Sequence, residues 1–105
     1  MVELTELEQL IDKIDQEYDR TTGFLGLLRQ GTFDSQSSER LLDLLSSLEL
    51  GNGPVDRRLV QLLWYMPIFL QWQIERFDAS GRDAAPVRTV MNKVVSRLEV
   101  VIGVP

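Results

Sequence analysis

The sequence predicts an all-α protein, a four-helix bundle in which residues 1–105 form a single domain. Apolar residues recur at alternating spacings of three and four in four segments, the period of amphipathic helices. Short turns rich in Gly, Ser and Pro separate these segments. The chain is long enough to bury a core without disulfides, which it cannot form because it contains no cysteine.

The first segment is predicted to be one long helix from Glu3 to about Arg29. Thr5 and Glu8 have the spacing of a capping box, which could start the helix one turn later. Gly23 and Gly26 disfavour helix, so the far end could bend or stop there. A seam at heptad a and d positions, apolar except at Thr21, carries the prediction. Its members are Leu4, Leu7, Ile11, Ile14, Tyr18, Thr21, Leu25 and Leu28.

The second predicted helix runs from about Ser38 to Leu48 and has a broad leucine face. Asp34, Ser35 and Ser37 are all candidates for its N-cap. Gly51 and Gly53, with Asn52 between them, end the segment with residues that tolerate positive φ.

The third predicted helix, Pro54 to about Phe77, is apolar nearly all round, which is typical of a helix that is central or covered by a partner. Pro54 suits the first helical position, and Pro67 predicts a kink. One apolar face comprises Leu59, Leu63, Met66, Leu70, Ile74 and Phe77. A second face comprises Val60, Trp64, Ile68 and Trp72.

The fourth predicted helix begins near Asp83, with Pro86 tolerated in its first turn. Val87, Met91 and Val94 start its apolar stripe. Residues 99–104 are rich in valine and could be strand by propensity alone. We expect helix there because the helical spacing persists.

The formal charge of −5 is concentrated in one place. Residues 1–20 hold seven acids and two bases, whereas the rest of the chain is electrically balanced. Like charges at helical spacings of three and four cost about 0.2–0.5 kcal/mol per pair. This surface could be a solvated helix face, or Arg40, Arg88 and Arg97 could neutralise it internally. The acids on one side of the predicted helix are Glu8, Asp12, Asp15 and Asp19.

Several functional classes are disfavoured by composition. The chain has no histidine and no cysteine, so it lacks the commonest general base, metal ligand and thiolate nucleophile. No calcium loop or phosphate-binding loop is present, and we expect neither metal nor cofactor. The pI near 4.6 argues against direct nucleic-acid binding, despite the basic doublet Arg57-Arg58.

The sequence also predicts no membrane association. The longest apolar run, from Leu62 to Leu70, is far shorter than the ~20 residues that a membrane span requires. The N-terminus is acidic where a secretory signal would be basic. We therefore expect a cytoplasmic protein.

Two functional hypotheses follow. In the first, a non-enzymatic protein docks a basic protein partner through Glu8, Asp12, Asp15 and Asp19, because charge speeds encounter and selects partners. Bacterial immunity proteins and antitoxins, which inhibit a toxin or a nucleic-acid-binding protein, are the functional type suggested by size and charge. The alternative is a homodimeric assembly module that uses residues 59–77, with self-association through Trp64, Ile68 and Trp72. These aromatic residues would equally suit the centre of the bundle.

Overall fold

The computed structural model describes residues 5–105, and this part of the chain contains helices and no strand. The predicted all-α class is confirmed, but the described residues form five helices instead of the predicted four. The predicted start at Glu3 and the seam residue Leu4 lie outside the described residues. The helices are α1 (Glu6–Gln16), α2 (Phe24–Arg29), α3 (Ser35–Ser46), α4 (Arg57–Ala79) and α5 (Ala85–Ile102).

The start of α1 uses the predicted cap. The Thr5 hydroxyl accepts a hydrogen bond from the Glu8 N–H at 3.1 Å, which satisfies one of the free amides of the first turn. Ile11 and Ile14 of the predicted seam are buried. The alternative start one turn later is therefore confirmed, as is the inward position of Ile11 and Ile14.

A single first helix to Arg29 is wrong, because the chain folds back after α1. The Glu17 carbonyl oxygen accepts hydrogen bonds from the N–H groups of Leu25 and Gly26, at 2.9 and 3.2 Å. A Cβ atom on Gly26 would lie 1.7 Å from the Asp19 carbonyl oxygen. Close backbone approach thus requires glycine there, and the seam spacing continues across a turn rather than along a helix.

The starts of α3 and α4 depend on aspartate caps. The Asp34 carboxylate accepts from the Ser37 N–H at 3.1 Å, so one of the three predicted cap candidates is confirmed. The Asp56 carboxylate accepts from the Arg58 N–H at 2.8 Å. The prediction of Pro54 at the first helical position is wrong, because it lies before the cap of α4.

Two proline predictions have different outcomes. Pro86 lies in the first turn of α5, as predicted. Pro67 lies within α4, which is helical from end to end, and a kink there stays a prediction. The C-terminal valine-rich segment is helical to Ile102, and Gly103, with φ of 95°, follows it. The helical interpretation is thus confirmed up to that residue.

All five helices contribute to one hydrophobic core. The longest helix, α4, contacts α1, α2 and α5. The molecule is only 20 Å thick along its shortest axis, which leaves room for about two layers of helices. A helix in a two-layer arrangement keeps one side uncovered. The buried apolar residues of α4 are Leu59, Leu63, Met66, Phe69, Leu70, Ile74 and Phe77.

Between residues 5 and 105, no helix is both long enough and apolar enough to cross a bilayer.

Candidate interaction surfaces

The acidic stripe, defined as Glu8, Asp12, Asp15 and Asp19, is partly neutralised by α4. Arg58 donates from Nη1 to Asp12 at 2.6 Å and from Nη2 to Asp15 at 2.7 Å. Both hydrogen bonds raise the pKa of the Arg58 guanidinium above its usual value, and the bond to Asp15 makes the larger contribution. One arginine therefore relieves the repulsion between two neighbouring carboxylates.

Asp19 lies beyond the end of α1 and has a local structural role. Its Oδ1 accepts hydrogen bonds from the N–H groups of Thr21 and Thr22, at 2.9 and 3.1 Å, and from both hydroxyls. The bond from the Thr21 N–H is the largest contribution that lowers the pKa of Asp19 to about 2. The acidic stripe is thus not one continuous helical line, since its last member holds the turn between α1 and α2.

The arginines named from the sequence bind elsewhere. Arg40 pairs with Glu17, whose side chain is 2 % exposed. Arg88 pairs with Asp78 of α4. Arg97 donates to the carbonyl groups of Leu45 and Ser46 at the end of α3 and of Leu48 just beyond it. Sequence reasoning missed the pairing of Arg58 because its partners are 43 and 46 positions away.

The second surface, which we call the aromatic face, consists of Val60, Trp64, Ile68 and Trp72 on the uncovered side of α4. Trp64 is 56 % exposed and Trp72 is 53 % exposed. Val60 and Ile68 are also exposed, at 45 % and 37 %. The structure therefore brings together the three residues predicted for self-association, Trp64, Ile68 and Trp72, outside the core.

Tyr65 packs against both tryptophans of the aromatic face. Its ring makes an edge contact with Trp64 at a centroid distance of 5.9 Å and with Trp72 at 6.0 Å. The same ring lies 6.2 Å from the buried Phe69. Such aromatic contacts are worth about 0.5–1.5 kcal/mol each beyond burial. The aromatic face is therefore anchored to the core.

The apolar surface continues from α4 to the end of α5. Val60 and Trp64 line a cleft of about 350 Å³ together with Val101 and Ile102. Val55, in the turn before α4, also lines this cleft and is exposed. The aromatic face and this cleft thus form a contiguous apolar region rather than isolated exposed residues.

A more polar cleft of about 420 Å³ adjoins the Glu17–Arg40 pair. The Glu17 carboxylate already accepts from Arg40 and, at 3.3 Å, from the Phe24 N–H. Within residues 5–105 there is no cluster of three or more acidic, His or Cys side chains arranged to hold a metal ion. The hydrogen bonds of Glu17 beside this cleft indicate that the Glu17–Arg40 ion pair has a structural role.

The fold and these surfaces define a small all-helical protein with an exposed aromatic helix face. No model of a known protein family, no curated protein and no solved structure matches the chain.

Proposed function

We propose that this chain is a non-enzymatic assembly module that forms a homodimer through the aromatic face. The observation that carries the proposal is the half-exposure of both Trp64 and Trp72, two turns apart on one helix. Large apolar side chains grouped on a surface mark interaction sites, and tryptophan is the residue most enriched among binding hot spots.

The size of the aromatic face suits the centre of a modest interface. A tryptophan buries ~150–250 Å² when fully covered, so the whole half-exposed face offers roughly 300 Å² of apolar area. A stable interface covers about 800 Å² per partner, with a polar rim around an apolar centre. Exposed polar residues flank the face and can supply this rim: Arg57, Gln61, Gln71 and Glu75.

A second copy of the chain is the occupant that the charge pattern favours. The flanking residues Arg57 and Glu75 carry one charge of each sign, so this surface is neutral overall. A neutral surface has no electrostatic preference for a strongly basic or acidic protein. It is compatible with an identical surface, as the isologous interface of a twofold dimer requires.

Sedimentation equilibrium over a dilution series tests the proposal. We expect a dimer that dissociates to monomer on dilution, and a dissociation constant at least tenfold higher for Trp64→Gln and for Trp72→Gln. Val100→Gln is the matched control, because Val100 is 71 % exposed but lies on α5 outside the face. Circular dichroism establishes that each variant keeps its helicity. A wild-type chain that stays monomeric at the highest concentrations contradicts the proposal.

The acidic stripe supports a second candidate function, docking of a basic protein in the manner of immunity proteins. Asp12 and Asp15 remain 41 % and 50 % exposed despite their bonds to Arg58. Exposed ion pairs contribute only about 0–1 kcal/mol, so a basic partner could compete with Arg58 for these carboxylates. Glu8 is exposed as well.

Neutralisation of the helical acids tests this second function. The variant combines Glu8→Gln, Asp12→Asn and Asp15→Asn, and it leaves Asp19 intact because that residue holds a turn. We expect a basic protein to co-purify from the native host with the wild-type chain and to be lost with the variant. Equal recovery of the same partner with both chains rules out docking through this stripe.

A further inference from the structure

We infer that the two copies pair antiparallel along α4, in a register that places Arg57 of each copy opposite Glu75 of the other. This inference rests on the proposed homodimer and specifies how its two surfaces meet. It follows from the order of residues along the exposed line of α4.

Arg57, Trp64, Ile68 and Glu75 lie along the middle of the exposed side of α4. They are separated by steps of seven, four and seven residues, which return to nearly the same side of a helix with 3.6 residues per turn. All four are exposed. The spacing is that of a short coiled-coil seam, in which side chains of one helix fit between those of another.

The pattern is symmetric about Met66 in position and complementary in charge. Arg57 and Glu75 each lie nine residues from Met66, whereas Trp64 and Ile68 each lie two residues from it. A twofold axis that crosses α4 at this level therefore places Trp64 against Ile68 and Arg57 against Glu75. The same axis puts Gln61 of one copy level with Gln71 of the other.

The charges select the antiparallel arrangement over the parallel one. Arg57 and Glu75 are 18 residues apart, or about 27 Å along the helix, so they cannot pair within one copy. Neither forms an ion pair with any other residue in the described range 5–105. Antiparallel pairing makes two attractive contacts per dimer, whereas parallel pairing in register brings two arginines together and two glutamates together.

Charge reversal tests the register in solution. Arg57→Glu and Glu75→Arg each replace two attractive contacts per dimer with two repulsive ones, and we expect each to raise the dissociation constant on the order of tenfold. The double variant Arg57→Glu/Glu75→Arg restores both contacts in reversed polarity. We expect it to dimerise within about threefold of the wild type. Single reversals without effect, or a double variant as weak as the singles, overturn the register.

Engineered cysteines give an independent measurement, because the native chain has none. Gln61→Cys and Gln71→Cys are oxidised separately and as a mixture at a concentration where the wild type is dimeric. Antiparallel pairing predicts a disulfide only in the mixture, since a disulfide requires Cα atoms within about 7 Å. A disulfide in Gln61→Cys alone indicates parallel pairing. A failure of the charge-reversal pattern, or a disulfide in Gln61→Cys alone, overturns the register while the wild-type dimer stands. A monomeric wild type instead overturns the proposed function itself.

Discussion

Removal of the Arg40 charge should destabilise the fold far more than removal of an exposed arginine. The Glu17 carboxylate is almost fully buried and accepts from Arg40 Nε at 3.0 Å and Nη2 at 2.7 Å. Arg40→Met keeps most of the aliphatic stem but leaves Glu17 with the long bond from the Phe24 N–H. Breaking a fully buried pair costs about 3–5 kcal/mol. Because the Arg40 side chain is 52 % exposed, we expect about 2 kcal/mol.

Urea unfolding followed by circular dichroism measures this loss, with Arg88→Met as the matched control. The Arg88–Asp78 pair is half exposed on both sides, and its loss should cost below about 1 kcal/mol. The free energy of unfolding should therefore fall clearly more for Arg40→Met than for Arg88→Met. Thermal melting should show a drop of roughly 10 °C for a loss of this size. Equal losses in the two variants would show that the burial of Glu17 does not determine the energetics of the pair.

Four further substitutions, the first with a matched control, test the details of the fold. Gly26→Ala should lower the free energy of unfolding by about 3 kcal/mol or prevent folding. Gly51→Ala is the control and should be nearly neutral, because a Cβ atom there meets nothing within 4 Å. Equal effects of the two variants in urea unfolding contradict the close approach of Gly26 to the Asp19 carbonyl. Gln73→Met should raise the free energy of unfolding by about 1 kcal/mol, because it removes a buried oxygen that has no hydrogen-bond partner among residues 5–105. A lower melting temperature argues against this. The pKa of Asp19 is lowered to about 2 in the fold, so its contribution to stability is present above pH about 4 and lost as the pH falls through 2. Asp19→Asn should lack this pH dependence. An Asp19→Asn variant whose free energy of unfolding falls in acid as that of the wild type does contradicts this prediction. Burial raises the pKa of the Tyr18 phenol, so stability should fall as the pH rises above about 10, and Tyr18→Phe should flatten that fall in unfolding measured against pH.

Most of the helical content could be predicted because its causes are local. Apolar spacing and side-chain caps indicated the Thr5 cap of α1, the inward face of α4 and the helical end of α5. A bend or stop near Gly23 and Gly26 was left open, but the end of α1 at Gln16 was not predicted, because the helical period continues through Leu25. Only the tertiary arrangement reveals that the amide of Leu25 bonds to the Glu17 carbonyl. Gly23 and Gly26 were the local signal of that break.

The two candidate surfaces differ in how far the sequence could predict them. The second apolar face of α4 was visible as a period, and its exposure follows from a fold that covers only the other side. The environment of the acidic stripe depends on Arg58, far away in the chain, and on the turn held by Asp19. Arg57 and Arg58 are neighbours in sequence, yet one lies on the exposed line of α4 and the other binds α1. A sequence pattern alone does not separate such roles.

Intrinsic fluorescence gives the most direct measurement of whether the aromatic face is the dimer interface. The only two tryptophans of the chain, Trp64 and Trp72, both lie on this face, so their emission reports on no other region. As the concentration rises through the dimer transition followed by sedimentation, we expect the emission to shift to shorter wavelength and acrylamide quenching to fall. A doubling of mass with unchanged emission and quenching would place the interface elsewhere, and no change in mass at any concentration would exclude the homodimer.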